Sequence, residues 1–268
     1  MIIEGAHVVT VTGEEYPDGH VVVEGNRITA VGPGPAPVAS EARIDGRGCL
    51  LTPGFVNTHN HLYQWVTRGL AVDATLFEWL TTLYPVWAGI DEHAVHTGAT
   101  GTGVAHCPSS NARLGAGICR TRDLRDAGAR VGLGVDGAAS NEAGSLLEEV
   151  RHAVLFARAV GGPTALTVRD ALALATMGGA AVLGRAGEIG SIEPGKLADL
   201  ALWRIDGLAH LDVADPVAAL VLGSPPPLDL LLVDGRPVVE CGRVVTVDTS
   251  AVARECAAVH RTLLEKAS

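Results

Sequence analysis

The chain has 268 residues, 47% of them hydrophobic, enough to build a sizeable core in one large domain or a domain with a small satellite. A net charge of −10, with the acidic residues spread along the chain, argues against nucleic acid or an anionic membrane as the main partner. Five scattered cysteines without CxxC spacing suggest neither a disulfide framework nor a cysteine zinc site. The longest small or apolar run, residues 171–184, is too short to span a bilayer, so a cytoplasmic protein is expected.

In chain order, HVVTVT, the turn-rich GEEYPDG and HVVVEGNRITAVG read as a meander of short antiparallel strands within residues 1–50. The unbroken apolar run Leu51 to Thr58 is expected as one buried parallel strand. Residues 76–88 and 91–99 have helical spacing, and residues 103–107 and 130–135 read as short strands. A helix is expected over 145–160, and another from the N-cap Thr167 to about Leu183. GKLADLALW and LDLLLVDGRPVVECGRVVTVD, within 188–249, return to short strands with DG and CG turns. Residues 250–268 close the chain with a helix over 250–266 packed on the outside. Each terminal set holds too few strands for a stable sheet, so the two are expected to pack together as a small β-sandwich built from both chain ends. Between them, over 51–187, strands and helices alternate in the manner of βαβ units; the fold class is α/β.

In such folds chemistry collects in the loops at the C-terminal ends of strands. His59 and His61, in VNTHNHLYQ, lie at one such end. Residues i and i+2 of a strand face the same way, so the two imidazoles are expected to share one point while Asn60 faces away. Alone, the pattern suits a satisfied pair at a strand end as well as half of a metal site. Asp136, in VGLGVDGAASN, ends a second apolar strand, and Gly137 after it is expected to turn the chain sharply, leaving the carboxylate at the rim. Two histidines and a carboxylate suit Zn²⁺ or Fe²⁺, and an ion so held activates water, with Asp136 placed to take the proton. Ser109, Ser110 and Asn111 read as a turn with side-chain to backbone bonds rather than as substrate contacts.

PGFVNTHNH, AHCPSSNARLGAG, VGLGVDGAASN and GSIEPGKLADL, in this order, resemble the amidohydrolase superfamily, in its aminohydrolase branch acting on nitrogen heterocycles. LYQWVTRGL and LFEWLTTLYPVWAGID are similar to 8-oxoguanine deaminases, a group beside hydroxydechloroatrazine ethylaminohydrolase. The resemblance implies a distorted (β/α)₈ TIM-type barrel flanked by the sandwich. It implies one divalent metal ion, zinc before iron, no organic cofactor, and hydrolytic release of ammonia from a small-molecule nitrogen heterocycle such as 8-oxoguanine. Carried over by position, His59 and His61 match the ligand pair after strand 1, and Asp136 matches the ligand and proton shuttle after strand 8. Gln64 falls where substrate contacts follow the histidine pair, His106 is a substrate-binding candidate near the pocket, and Asp199 belongs to the sandwich as a structural residue.

The family's third metal-binding His after strand 5, its nearby Glu and the His after strand 6 find no counterpart. His7 and His20 lie in the sandwich, His210 and His260 in C-terminal segments, His152 inside a helix, and His93 and His96 on a helical face. Residues 51–187 offer about half the roughly 250 residues of a (β/α)₈ barrel. The shortening falls near 99–101, where a segment like the first helix region meets one like strand 7, so a partial barrel retaining strands 1, 7 and 8 is expected. The functional expectation is a metal-dependent aminohydrolase. The alternative is a catalytically inactive remnant, either a structural or interaction protein or a weak metal binder using His59, His61 and Asp136 alone. Family habit and the edges of so small a sheet both favour a homodimer.

Overall fold

The computed structural model describes residues 1–61 and 103–267. β1 (Ile2–Val9), β2 (Glu15–Glu24) and β3 (Arg27–Pro33) form an antiparallel meander, with a tight turn between β2 and β3. β4 (Arg43–Asp45) and β5 (Cys49–Pro53) then add to β1 in parallel, β4 along Ile2–Glu4 and β5 along His7–Val8.

The apolar run expected as a single strand over 51–58 is divided. Cys49–Pro53 belongs to the terminal sheet, and beyond it the amides of Gly54 and Val56 donate at 2.7 Å to Asp199 O and Ala175 O. Proline brings no N–H to a ladder, and the Pro53-Gly54 step releases the chain towards the next layer.

β6 (Asn60–His61), β7 (Gly103–His106), α1 (Pro108–Arg113), α2 (Thr121–Asp126), β8 (Arg130–Leu133) and β9 (Asp136–Gly137) follow. β6 pairs with β9 and β7 with β8, both in parallel. Only Gly134 and Val135 separate β8 from β9, so residues 130–137 run between the other two segments. On one side Thr58 N and Oγ1 both donate to Leu133 O, at 3.0 and 2.8 Å; on the other Gly134 N donates to His106 O at 2.9 Å.

α3 (Leu146–Gly161) starts at Ser145, whose side chain accepts the Glu148 amide. α4 (Val168–Ala173) starts with a capping box in which Thr167 and Asp170 satisfy each other's amides. Both starts are where the sequence puts them. α4 continues through a π-turn, Leu174–Gly178, into α5 (Gly179–Val182). Glycine permits this stretch to lie directly on a strand: a Cβ at Gly178 would come within 2.3 Å of Val131 O.

β10 (Leu200–Arg204), α6 (Pro216–Leu222), β11 (Leu228–Val233), β12 (Arg236–Glu240), β13 (Arg243–Val244) and α7 (Thr249–Ala267) complete the chain. Because β10 pairs antiparallel with β5, strands from both chain ends join in one nine-stranded sheet of order β13-β12-β11-β10-β5-β1-β2-β3, with β4 on β1. Alternate residues of its central strands serve two cores, as the two-residue period of a strand requires. Leu51, Leu200 and Leu202 meet Ile3, Val21, Ile28 and Leu232 from both halves of the sheet, which folds over on itself. Leu50, Ala201 and Trp203 share the other core with Val131, Leu133, Val154, Leu172 and Leu220, fixing the parallel segments and helices to the sheet. Each large aliphatic side chain so buried contributes roughly 1.5–3 kcal/mol. Trp203 Nε1 donates to Thr52 Oγ1 at 3.1 Å, and its ring lies 5.5 Å from that of Phe55.

α7, expected to pack on the outside, keeps its described side chains exposed, His260 apart. Among the described residues no helix is long and apolar enough to cross a membrane. The helices expected at 76–88 and 91–99, with His93 and His96, lie outside the described residues.

Candidate functional site

The backbone sets His59 beside Asp136. Asn57 Oδ1 accepts from the amides of His59 and Val135, both at 3.2 Å, and His59 O accepts from the amides of Val135 and Asp136, both at 3.1 Å. Gly134 keeps the two segments close, since a Cβ there would meet His59 Cβ at 2.7 Å and Cys107 Sγ at 3.2 Å. The sharp turn expected at Gly137 falls on Asp136 itself, whose φ is 61°. Aspartate is among the few non-glycine residues that adopt this left-handed conformation readily.

The Asp136 carboxylate is divided between two environments. Oδ1 lies 3.2 Å from His59 Nε2, while Oδ2 accepts from Ser110 Oγ at 2.6 Å and from Ser140 Oγ at 2.9 Å. Burial pushes this half-buried carboxyl up. The two serine bonds, the Gly137 amide and the neighbouring His59 outweigh it, so the group titrates below the usual carboxylate range and is ionised at neutral pH. Cys107, also close by, is a buried thiol pushed up to about 12, mainly by burial, which leaves it inert as a nucleophile.

The His59–Asp136 pair fits a shared metal ion. Tetrahedral zinc with bonds of about 2.0–2.1 Å holds two ligand atoms about 3.3 Å apart, and Nε2 and Oδ1 are separated by 3.2 Å. The serine bonds to Oδ2 orient the carboxylate as outer hydrogen bonds orient metal ligands. Among the described side chains no group of three or more His, Cys, Asp or Glu converges. His61 is placed by its backbone, opposite Gly137, and Gln64 lies outside the described residues.

His106 ends β7 and is 6% exposed, and its Nδ1 is buried without a hydrogen-bond partner among the described residues. Burial pushes it down to about 4, so the ring is neutral. Ser109 and Ser110, expected in a turn, open α1; Ser110 reaches the site and Ser109 reaches α3. Ser110 holds Asp136. The Ser109 amide donates to Glu149 Oε2 at 3.0 Å, and Ser109 Oγ shares a 2.7 Å hydrogen bond with His152 Nδ1. Asn141 Nδ2 donates at 2.9 Å both to Val135 O and to Glu149 Oε1. Sequence reasoning passes over Ser140, Asn141 and Glu149. A signal for Glu149 exists: it sits in the apolar stripe of α3 with Val150, Ala153 and Val154, where an acidic residue needs partners. Asp199 is structural, its Oδ1 accepting the Asp234 amide at 2.7 Å.

A model of the amidohydrolase family matches residues 86–238. The 8-oxoguanine deaminase of Pseudomonas aeruginosa is 46% identical over 162 residues, covering 60% of this chain and 36% of that protein. A 5-methylthioadenosine/S-adenosylhomocysteine deaminase of Desulforudis audaxviator is 43% identical over 168 residues, covering 62% and 39%. The chain thus spans between a third and two fifths of the length of these relatives. Among solved structures, the atrazine chlorohydrolase of Arthrobacter aurescens complexed with zinc aligns with a TM-score of 0.83 at 20% identity, over 97% of this chain and 99% of that one. An adenosine deaminase of Xanthomonas campestris with bound zinc aligns with a TM-score of 0.82 at 19% identity, over 97% and 98%. At these identities the likeness speaks to the fold, a mixed α/β arrangement of amidohydrolase type.

Proposed function

Because this chain belongs to the amidohydrolase family, we propose that His59, His61 and Asp136 form a single-metal hydrolytic centre that removes an exocyclic amine from a small nitrogen heterocycle such as 8-oxoguanine. The observation that carries this reading is the 3.2 Å approach of His59 to Asp136 at the ends of adjacent parallel segments. The order 57–61, 130–137, 103–107 supports taking these segments as strands 1, 8 and 7 of a partial (β/α)₈ barrel over residues 51–187. In this division the small sandwich takes 1–50 and 188–249, with 51–53 finishing its strand β5, and a terminal helix takes 250–268.

The three residues would hold zinc, with iron as the alternative, and the ion supplies Lewis-acid activation of water when bound. The protein groups do the rest. Asp136, ionised and fixed through Oδ2 by Ser110 and Ser140, accepts a proton on the side facing His59 and returns it to the departing amine. His106, neutral and with Nδ1 unpartnered among the described residues, offers a hydrogen bond to a polar ring edge, and Gln64 offers both a donor and an acceptor. The curated relatives that carry deaminase names support the reaction class. A homodimer in the cytoplasm is the setting we assign to it.

The chain's share of its relatives' length favours a second reading, a catalytically silent protein that keeps the metal residues or an interaction role alone. Metal analysis and ammonia release from 8-oxoguanine, on wild type, His59→Ala and Asp136→Asn, test both. Zinc bound by wild type and lost from the variants, with ammonia released only by wild type, supports the hydrolytic reading. Zinc without ammonia turns to the second reading, and equal metal in all three proteins removes the site.

A further inference from the structure

Two serines hold Asp136 Oδ2, and each is followed or preceded in the chain by a residue bonded to the same buried carboxylate. Glu149, on α3, has no exposed surface. Its Oε2 accepts the amide of Ser109, the neighbour of Ser110, at 3.0 Å. Its Oε1 accepts Nδ2 of Asn141, the neighbour of Ser140, at 2.9 Å, and the other hydrogen of that Nδ2 goes to Val135 O, just before Asp136. One side chain therefore ties together the start of α1, the turn after β9 and, through Asn141, the segment that carries Asp136.

We propose that Glu149 is the positioning residue of Asp136, its two carboxylate oxygens setting the Ser110 and Ser140 hydroxyls that aim Asp136 at His59. The inference rests on the reading of Asp136 as a metal ligand and proton carrier. The chemistry suits a carboxylate: both partners are donors, and its two oxygens present an acceptor to each. An amide of the same shape must turn an NH₂ group against one of them. Burial outweighs the Ser109 and Asn141 bonds and, with the nearby Glu148 charge, pushes the Glu149 carboxyl above the usual carboxylate range; the two bonds limit that rise. His152, one turn along α3, fixes the Ser109 side chain from the same helix. Glu149 touches neither His59 nor Asp136 in this network, so it acts through the serines.

The test uses the full chain carrying Glu149→Gln, with Val154→Ala, buried on the same helix but outside the network, as a control for simple loss of stability. One readout is a crystal structure of the metal-free variant. The other is zinc affinity, measured by chelator competition. Glu149→Gln is expected to part at least one of the serine bonds to Asp136 Oδ2 and to weaken zinc binding about 10- to 100-fold, the usual effect of losing an outer hydrogen-bond partner, while Val154→Ala keeps both. Intact serine bonds with unchanged affinity in Glu149→Gln overturn the proposal, as does an equal loss of affinity in Val154→Ala. If neither wild type nor variant binds zinc, the metal reading falls by itself and the serine geometry decides the positioning role. Should Glu149→Gln fail to fold, Asn141→Ser, which severs one arm only, is judged by the same two readouts.

Discussion

Ser110 Oγ donates a 2.6 Å hydrogen bond to Asp136 Oδ2 across 26 residues of sequence, from the first turn of a short helix to the start of the two-residue strand β9. Ser140 adds a second bond to the same oxygen. Hydrogen bonds of this kind favour the charged carboxylate and so link the local geometry of the site to the acid stability of the chain.

Replacing both serines by alanine is expected to raise the Asp136 pKa and to cost about 1.5–3 kcal/mol per bond at pH 7. The folded carboxyl titrates below its ordinary value of 3.8, so its contribution is fully present above that value and lost as pH falls through the lower, folded one. Urea unfolding of wild type and the double variant should therefore differ most at neutral pH and converge in strong acid. A gap of constant size would show that the serines do not act on an ionised group.

His106 gives the opposite kind of titration. The unfolded ring takes a proton near 6.5, whereas burial keeps the folded ring neutral down to about 4. Between these values the unfolded state binds the extra proton, so stability falls as pH drops, by about 1.4 kcal/mol per pH unit near pH 5. His106→Leu is expected to flatten that slope without loss at pH 7, because it also removes a buried nitrogen that has no partner among the described residues. Chemical denaturation at pH 7 and pH 5 measures both effects, and an unchanged slope would assign the pH dependence to another group.

Thr52→Val keeps the shape of a fully buried position but strips the indole N–H of Trp203 of its acceptor. The expected cost is about 1–3 kcal/mol. Thr52 Oγ1 also donates to Pro53 O at 3.0 Å, a bond lost in either background. In a Trp203→Phe background the same substitution should therefore cost less but not nothing, and the double-mutant cycle isolates the indole bond; equal costs in the two backgrounds would assign the effect to the Pro53 bond and packing.

Local determinants account for what is legible in the sequence. Ser145 and Thr167 cap their own helices, and the strands at 103–106 and 130–133 are short apolar runs bounded by turns. His59 and Asp136 are legible as neighbours because each follows an apolar run of sequence, at the end where parallel folds gather polar groups. Residues 51–58 mislead because no charged side chain interrupts the run, and only Pro53-Gly54 marks where one sheet is left for the next. The turn at Asp136 misleads because glycine at 137 is the easier residue to bend. Ser110 and Glu149 stay hidden for a different reason. Their partners are 26 and 40 residues away, and a Pro-Ser-Ser-Asn segment is locally satisfied as a turn.

The bond between Thr52 and Trp203 joins residues 151 positions apart. On a ribosome, β1 to β5 emerge long before β10, which completes their sheet. Throughout that interval the edge of β5 that β10 will cover is exposed to whatever other nascent strands are near. The entropy of closing so long a loop falls due before the contacts that reward it, making sheet completion the late step of folding. The finished molecule hides this seam in its centre, yet it is where a chain still in synthesis is most open to partners of the wrong kind.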